Sequence, residues 1–211
     1  MPEKTIVTVN SNGRQAASLV RVASAVGYHV RAQLHSRAGI VAEELERLDN
    51  VTVVEGSLED KSLVKDLFKD AHLAFINTTA HGDEVAIGRS LVDAAKKAGV
   101  QHFIYSSMPD HGTFGRGWPS LPMWSTKFTI ENYVRQVGLP ATFVYAGIYN
   151  NNFTSQPFPL FCMELQADGS FLWKAPFDPD ISLPWLDAEH DVGPTILQVL
   201  KDGPRKWSGH R

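Results

Sequence analysis

Thr5-Ile6-Val7-Thr8-Val9-Asn10-Ser11-Asn12-Gly13-Arg14-Gln15-Ala16 is a β-branched apolar run that gives way to a segment of helical period. The run reads as a buried strand over 5 to 9 and the continuation as a helix over 14 to 26, which makes residues 10 to 13 a strand-to-helix turn. The alternation continues outward. Strands are predicted at 29 to 34, 51 to 54, 72 to 77, 102 to 106 and 141 to 145, and helices near 40 to 49, 61 to 70, 84 to 98 and 123 to 137. Gly27, Gly99 and Gly138 stand just past three of the helix ends, where a left-handed residue closes the last turn. Right-handed crossovers between six such strands give an α/β fold, a Rossmann-like doubly wound parallel sheet.

From about residue 146 the pattern changes, because Pro157, Pro159, Pro176, Pro179 and Pro184 interrupt the chain. The expectation here is a helix near 158 to 166, a short hairpin near 170 to 174 and a last helix over 190 to 201, forming an accessory layer over the strand ends. This divides the chain into a nucleotide-binding domain at 1–150 and a partial carboxyl-terminal subdomain at 151–211.

Composition narrows the function. The chain has 211 residues, 43% hydrophobic and 20% charged, enough for one well-filled core. With 20 Lys+Arg against 23 Asp+Glu the net charge is −3, so the molecule lacks the basic field that holds a phosphate backbone, and direct nucleic-acid binding is not expected. The single cysteine, Cys162, favours a reducing compartment, nucleus or cytoplasm. No run approaches the roughly 20 apolar residues that cross a bilayer. The first strand begins so close to Met1 that no signal peptide is expected.

A Gly-x-x-Gly-x-x-Gly turn binds a dinucleotide because its first glycine bends tightly, its second admits the diphosphate and its third lets helix and strand pack closely. Only the middle position, Gly13, is glycine here. Asn10 replaces the first because asparagine tolerates a left-handed backbone, and Ala16 is small enough for the third. Asn10, Ser11, Asn12, Gly13, Arg14 and Gln15 then form an anion cradle at a helix amino terminus; the plain alternative is a first βα turn with an asparagine cap.

Ligands in such folds lie at the carboxyl ends of the strands, which here carry His35, Ser36 and Arg37, then Ser57, then Asn77, Thr78 and Thr79, then Ser106 and Ser107, then Tyr149, Asn150, Asn151 and Asn152. An acid at the second strand end would grip a ribose 2′-hydroxyl and an arginine a 2′-phosphate. His35 is neither, and as a neutral imidazole it favours NAD, while Arg37 nearby keeps NADP as the second candidate.

Short-chain dehydrogenases relay a proton through a tyrosine supported by a lysine four residues later and a serine at the fifth strand end. The chain offers Ser106 or Ser107 and Lys127, but Met123 stands at the tyrosine position, and a thioether carries no proton. Lys127 is left to bond a nicotinamide ribose, or to be an exposed helix lysine. Tyr133 has the wrong spacing to substitute, and Tyr149 would need its loop to fold back.

The segments at 12 to 18, 73 to 79, 105 to 111, 122 to 124, 144 to 155 and 176 to 193 resemble the NmrA-like family of atypical short-chain dehydrogenases, over essentially the whole chain. The resemblance implies a regulator of fungal nitrogen metabolite repression that binds oxidised nicotinamide dinucleotides without turning over a substrate. It also implies contact with a GATA-type zinc-finger transcription activator. An NAD(P)-dependent reductase of the isoflavone-reductase-like type is the alternative, and a paralogue that binds neither nucleotide nor partner is a third reading. Family members continue beyond Arg211, so an edge strand and part of the carboxyl-terminal domain are expected to be missing.

A basic finger needs an acidic surface. Residues 164 to 191 hold seven acids against Lys174, a local balance of −6, and Asp187, Glu189 and Asp191 are the candidate contacts. The competing reading is that these acids solvate loops and cap the last helix. His190 beside them, like His81, His111 and Cys162, has no metal-ligand spacing.

Overall fold

In the central sheet each strand pairs only with strands running its own way, so every connection within it must cross over through a helix, and the helices must cover both faces. The computed structural model describes residues 4–114, 116–155, 159–175 and 177–210. In chain order the elements are β1 (Thr5–Thr8), α1 (Arg14–Ala25), β2 (His29–Leu34), α2 (Ile40–Glu46), β3 (Val51–Glu55), α3 (Lys61–Leu67), β4 (Leu73–Ile76), α4 (Glu84–Ala98), β5 (His102–Ser107), α5 (Pro122–Val137) and β6 (Ala141–Tyr145). After them come β7 (Ile148–Tyr149), α6 (Asn152–Ser155), β8 (Met163–Leu165), β9 (Phe171–Trp173), β10 (Trp185–Leu186), α7 (Val192–Asp202) and α8 (Pro204–Trp207).

The central sheet is parallel throughout, in the order β3-β2-β1-β4-β5-β6. The order reverses between β1 and β4, and the connections that leave their carboxyl ends run to opposite sides of the sheet, which is where folds of this kind form a crevice. Both sheet faces are apolar, since β4 and β5 are buried along their whole length. One face packs Val64, Leu67 and Phe68 of the α3 region with Leu91 of α4 and Ile130 and Val134 of α5. The other packs Leu19 and Val20 of α1 and Leu45 of α2 with Ile196, Leu197 and Leu200 of α7. Gly99 and Gly138 end α4 and α5 at φ 73° and 70°, the left-handed caps that the sequence predicts.

The helix expected near 158 to 166 is corrected. Residues 156–158 lie outside the described residues, Pro159–Phe161 is a single 3₁₀ turn, and Met163–Leu165 pairs antiparallel with Phe171–Trp173. A hairpin forms because Gly169 at φ 84° and the Asp168 carboxylate, which accepts from the Ser170 amide at 2.9 Å, close its turn. Trp173, Phe153 and Trp185 pack together above it, with centroid separations of 5.5 to 5.9 Å. The last helix begins at Val192, two residues later than expected. It packs on α1 where the Ser18 hydroxyl accepts from the Gly193 amide at 2.9 Å, and a β-carbon on Gly193 would stand 2.4 Å from the Ser18 carbonyl oxygen. At the outer edge of β6, where the sequence predicts a strand to begin, Gly209 donates to Ala141 at 2.7 Å and Phe143 donates to His210 at 3.0 Å. Among the described residues no helix is long and apolar enough to cross a membrane.

His102 at the start of β5 is fully buried, and its Nε2 lies 2.8 Å from Thr142 Oγ1. That hydroxyl spends its proton on the Trp207 carbonyl at 2.9 Å, so the imidazole carries its own proton on Nε2 and leaves Nδ1 buried without a partner. Burial holds the pKa of His102 down at about 4. The unfolded chain therefore binds a proton that the folded chain refuses, and this contribution to stability is complete above about pH 6.5 and is lost as pH falls towards about 4. Urea unfolding should show a loss of about 3 kcal/mol across that window in the parent, and little of it in His102→Gln. An equal loss in both proteins would assign the acid sensitivity elsewhere.

Candidate functional site

The turn that leaves β1 is built on Asn10, whose φ of 50° is the left-handed conformation its side chain tolerates. Its carbonyl accepts from the Gly13 amide at 2.9 Å, its amide donates to Gln33 Oε1 at 2.9 Å, and its side chain donates to the Asn77 carbonyl at 2.8 Å. One residue thus ties the exits of β1, β2 and β4. Gln33 extends the tie to the third strand, donating to the Gly56 carbonyl at 2.8 Å. At Gly13 the requirement is room rather than an unusual dihedral, since its φ is −75° and an added β-carbon would stand 3.1 Å from the Asn10 carbonyl oxygen. Gly13 caps α1 without a side-chain bond, so the first amides of that helix keep their capacity for an anion.

Beside the turn lies a cavity of about 330 Å³. Asn10, Asn12, Gly13, His35, Ser57 and Thr79, all expected from the sequence, line it. So do Gln33, Leu58, Glu59, His81 and Ile87, which the sequence reading passes over. The His81 ring meets His35 edge to face at 4.7 Å. Among the described residues no group of three or more His, Cys, Asp or Glu is placed to hold a metal ion.

Most of the remaining candidates are engaged within the protein. Ser11 is fully buried, 2.8 Å from Thr8 Oγ1, and Ser106 is buried in β5. Ser36 accepts from the Ala38 amide at 3.1 Å. Arg37 does not line the cavity; it donates to Glu46 at 2.7 Å and to the Val53 carbonyl at 3.0 Å. Gln15 donates to the Tyr149 hydroxyl, so the loop after β6 does fold back, contrary to the expectation from sequence. It does so because β7 pairs with β10. Burial raises the Tyr149 pKa. Asn150 donates its amide to the Leu186 carbonyl at 2.9 Å, and the Asn151 carboxamide joins Asp187 at 3.1 Å and the Ala188 amide at 2.9 Å. Gln15 Oε1, Ser107 Oγ and Asn152 Oδ1 are buried with no partner among the described residues.

Lys127 is neither exposed nor free. Its ammonium donates to the Thr78 carbonyl and to Glu84 Oε1 at 3.1 Å, with Thr78 Oγ1 at 3.3 Å. The Thr78 hydroxyl donates to Glu84 at 2.6 Å and lies 2.9 Å from the Tyr105 hydroxyl. Burial lowers the lysine pKa while Glu84 works against that, and Tyr105 is pushed up by its own burial. Met123 is 64% exposed at the start of α5.

The acidic segment is also partly compensated. Glu189 pairs with Arg14 of the turn at 2.9 Å. Asp187 is held down at about 2, chiefly by His190 and Asn151, and His190 is raised in turn. Asp191 precedes α7 without capping it; its carboxylate accepts from the Asp187 amide at 2.8 Å.

A family model described as the NmrA-like family matches residues 2–211. The nitrogen metabolite repression protein nmrA of Emericella nidulans is 68% identical over 99% of the chain, and the corresponding protein nmr of Neurospora crassa 55% over 99%. The chain spans 60% and 48% of the length of these two relatives. Crystal structures of NmrA, a negative transcriptional regulator, in complex with NADP and with NAD superpose on the whole chain at a TM-score of 0.94 and 66% identity, and the chain covers 66% of each.

Removing one partner of the buried Lys127–Glu84 pair leaves an uncompensated charge, so Glu84→Gln should cost about 3 kcal/mol in urea unfolding, and Glu84→Gln with Lys127→Met markedly less. Simple addition of the two single effects would contradict this coupling.

Proposed function

The chain belongs to the NmrA-like family, and from that premise we propose that it is a dinucleotide-binding negative regulator of transcription in nitrogen metabolite repression. In this reading it binds NAD, oxidised in preference to reduced, carries out no hydride transfer, and acts in nucleus and cytoplasm by contact with a GATA-type zinc-finger activator. The observation that carries the reading is the Asn10–Gly13 turn, with its cavity at the point where strand order reverses. The protein residues fit such a ligand: the α1 amides carry no side-chain cap, and Asn10, Asn12 and Gly13 line the cavity beside them. Glu59 lines the cavity beside His35 and Ser57, and a carboxylate there suits a ribose hydroxyl. With Arg37 tied to Glu46, no arginine or lysine among the described residues lines this cavity, which favours NAD and leaves NADP second.

A bound nicotinamide would supply a hydride acceptor. The chain sets no proton relay beside it: Met123 carries no proton, and the Lys127 ammonium is spent on Glu84 and Thr78. The alternative, an NAD(P)-dependent reductase, would rest on Tyr149, whose phenol reaches the turn but whose pKa burial raises away from the working range.

Asp187, Glu189 and Asp191 are the residues we assign to the zinc finger. Arg14 already holds Glu189, so an arginine of the partner competes with an intramolecular one, and the exposed carboxylates contribute modestly each. Glu189→Gln with Asp191→Asn should weaken binding of a purified GATA-type finger about threefold to tenfold at low salt, at unchanged thermal stability. Parent-like affinity in the double variant would move the contact elsewhere.

A further inference from the structure

On the sheet face away from the acidic segment, α3 and α4 run side by side and leave a groove of about 860 Å³ between them. Its rim carries Lys61, Lys65 and Lys69 from α3 and the turn that follows it, and Arg89 and Lys97 from α4. Its floor is apolar, formed by Val64, Ala94 and Ala98. Two acids belong to the same lining, Asp70 and Asp93. Asp93 is already committed, since it accepts from the Tyr133 hydroxyl at 2.8 Å, and Arg89 sits 5.3 Å above the ring of that tyrosine. The four lysines form no ion pair among the described residues. A chain of net charge −3 thus sets five cations against two acids around one apolar channel.

We propose that this groove is a docking site for an acidic amphipathic segment of a partner protein. Lys61 and Lys65 stand four residues apart in α3, about one helical turn along one side of the channel, and Lys69 lines the channel from the turn that follows. Carboxylates four residues apart on a helical peptide have the same repeat, so such a peptide can lay its acids along the lysines and its apolar side chains on the valine and alanine floor. A phosphate backbone fits less well. It would leave the apolar floor without a partner and would meet Asp70 and Asp93, and lysines present point charges instead of the arginine forks that grip phosphate. The site stands apart from the dinucleotide reading, since neither Lys65 nor Lys97 lines the crevice.

The test uses a fluorescein-labelled peptide of about 20 residues with repeating Asp-Asp-Leu-Leu, read by fluorescence anisotropy against the full chain at low salt. Lys65→Glu with Lys97→Glu should weaken binding by at least about tenfold, and Lys65→Arg with Lys97→Arg should retain it, with circular dichroism unchanged in both. Lys65→Gln with Lys97→Gln gives the same comparison should the charge reversal disturb folding. Equal binding by the neutralised variant would overturn the proposal. So would equal affinity for a peptide with every leucine replaced by serine, or for a single-stranded DNA of matching length, because either would make the groove a general polyanion surface. Self-association of the parent in sedimentation velocity that these substitutions abolish would assign the groove to a second copy's acidic segment and overturn it as well.

Discussion

The backbone of Asn10 is the constraint on which the site depends. Held at φ 50°, it turns the chain out of β1 sharply enough for its carbonyl to receive the Gly13 amide, while its side chain bridges to Asn77 across the gap where strand order reverses. Without that bridge the exits of β1 and β4 would be joined only by the ladder below them. With it, the first turn of α1 is aimed along the crevice with its amides uncapped. Gln33 completes the frame by joining the exits of β1, β2 and β3.

The β4 exit beside the crevice is held by one buried ion pair. The lysine that would support a catalytic phenol is buried against Glu84 and Thr78, where it holds the β4 exit to α4 and α5. Its neighbour one helical turn earlier is an exposed thioether. Charge has moved to the surfaces instead: an acidic segment ahead of α7, linked to the turn by Arg14–Glu189, and a lysine-rimmed groove on the opposite face.

Much of the fold is legible because β-branched runs, helical periods and glycine caps all report local backbone preferences, and right-handed crossovers between the strands lead to a doubly wound parallel sheet. The helix expected at 158 to 166 fails because Met163-Glu164-Leu165 is too short and mixed to show a period; a partner strand at 171 to 173 decides its conformation. The shape of the turn is legible in Asn10, Gly13 and Ala16, since each has a backbone or packing reason visible in sequence. Gln33 and Glu84 are not, for a glutamine in a strand and a glutamate in a first helical turn both look solvent-facing until residues far along the chain supply their partners. Lys127 illustrates the same point, because Thr78 lies 49 residues away from it.

The account turns on the Asn10–Gly13 turn being an anion cradle. Calorimetric titration with NAD of the parent and of a folded Gly13→Val variant tests this most directly, because a branched side chain would press on the Asn10 carbonyl and fill the space of the diphosphate. The account predicts saturable binding by the parent and none detectable in the variant. Undiminished binding by folded Gly13→Val, or no heat with the parent, would contradict it.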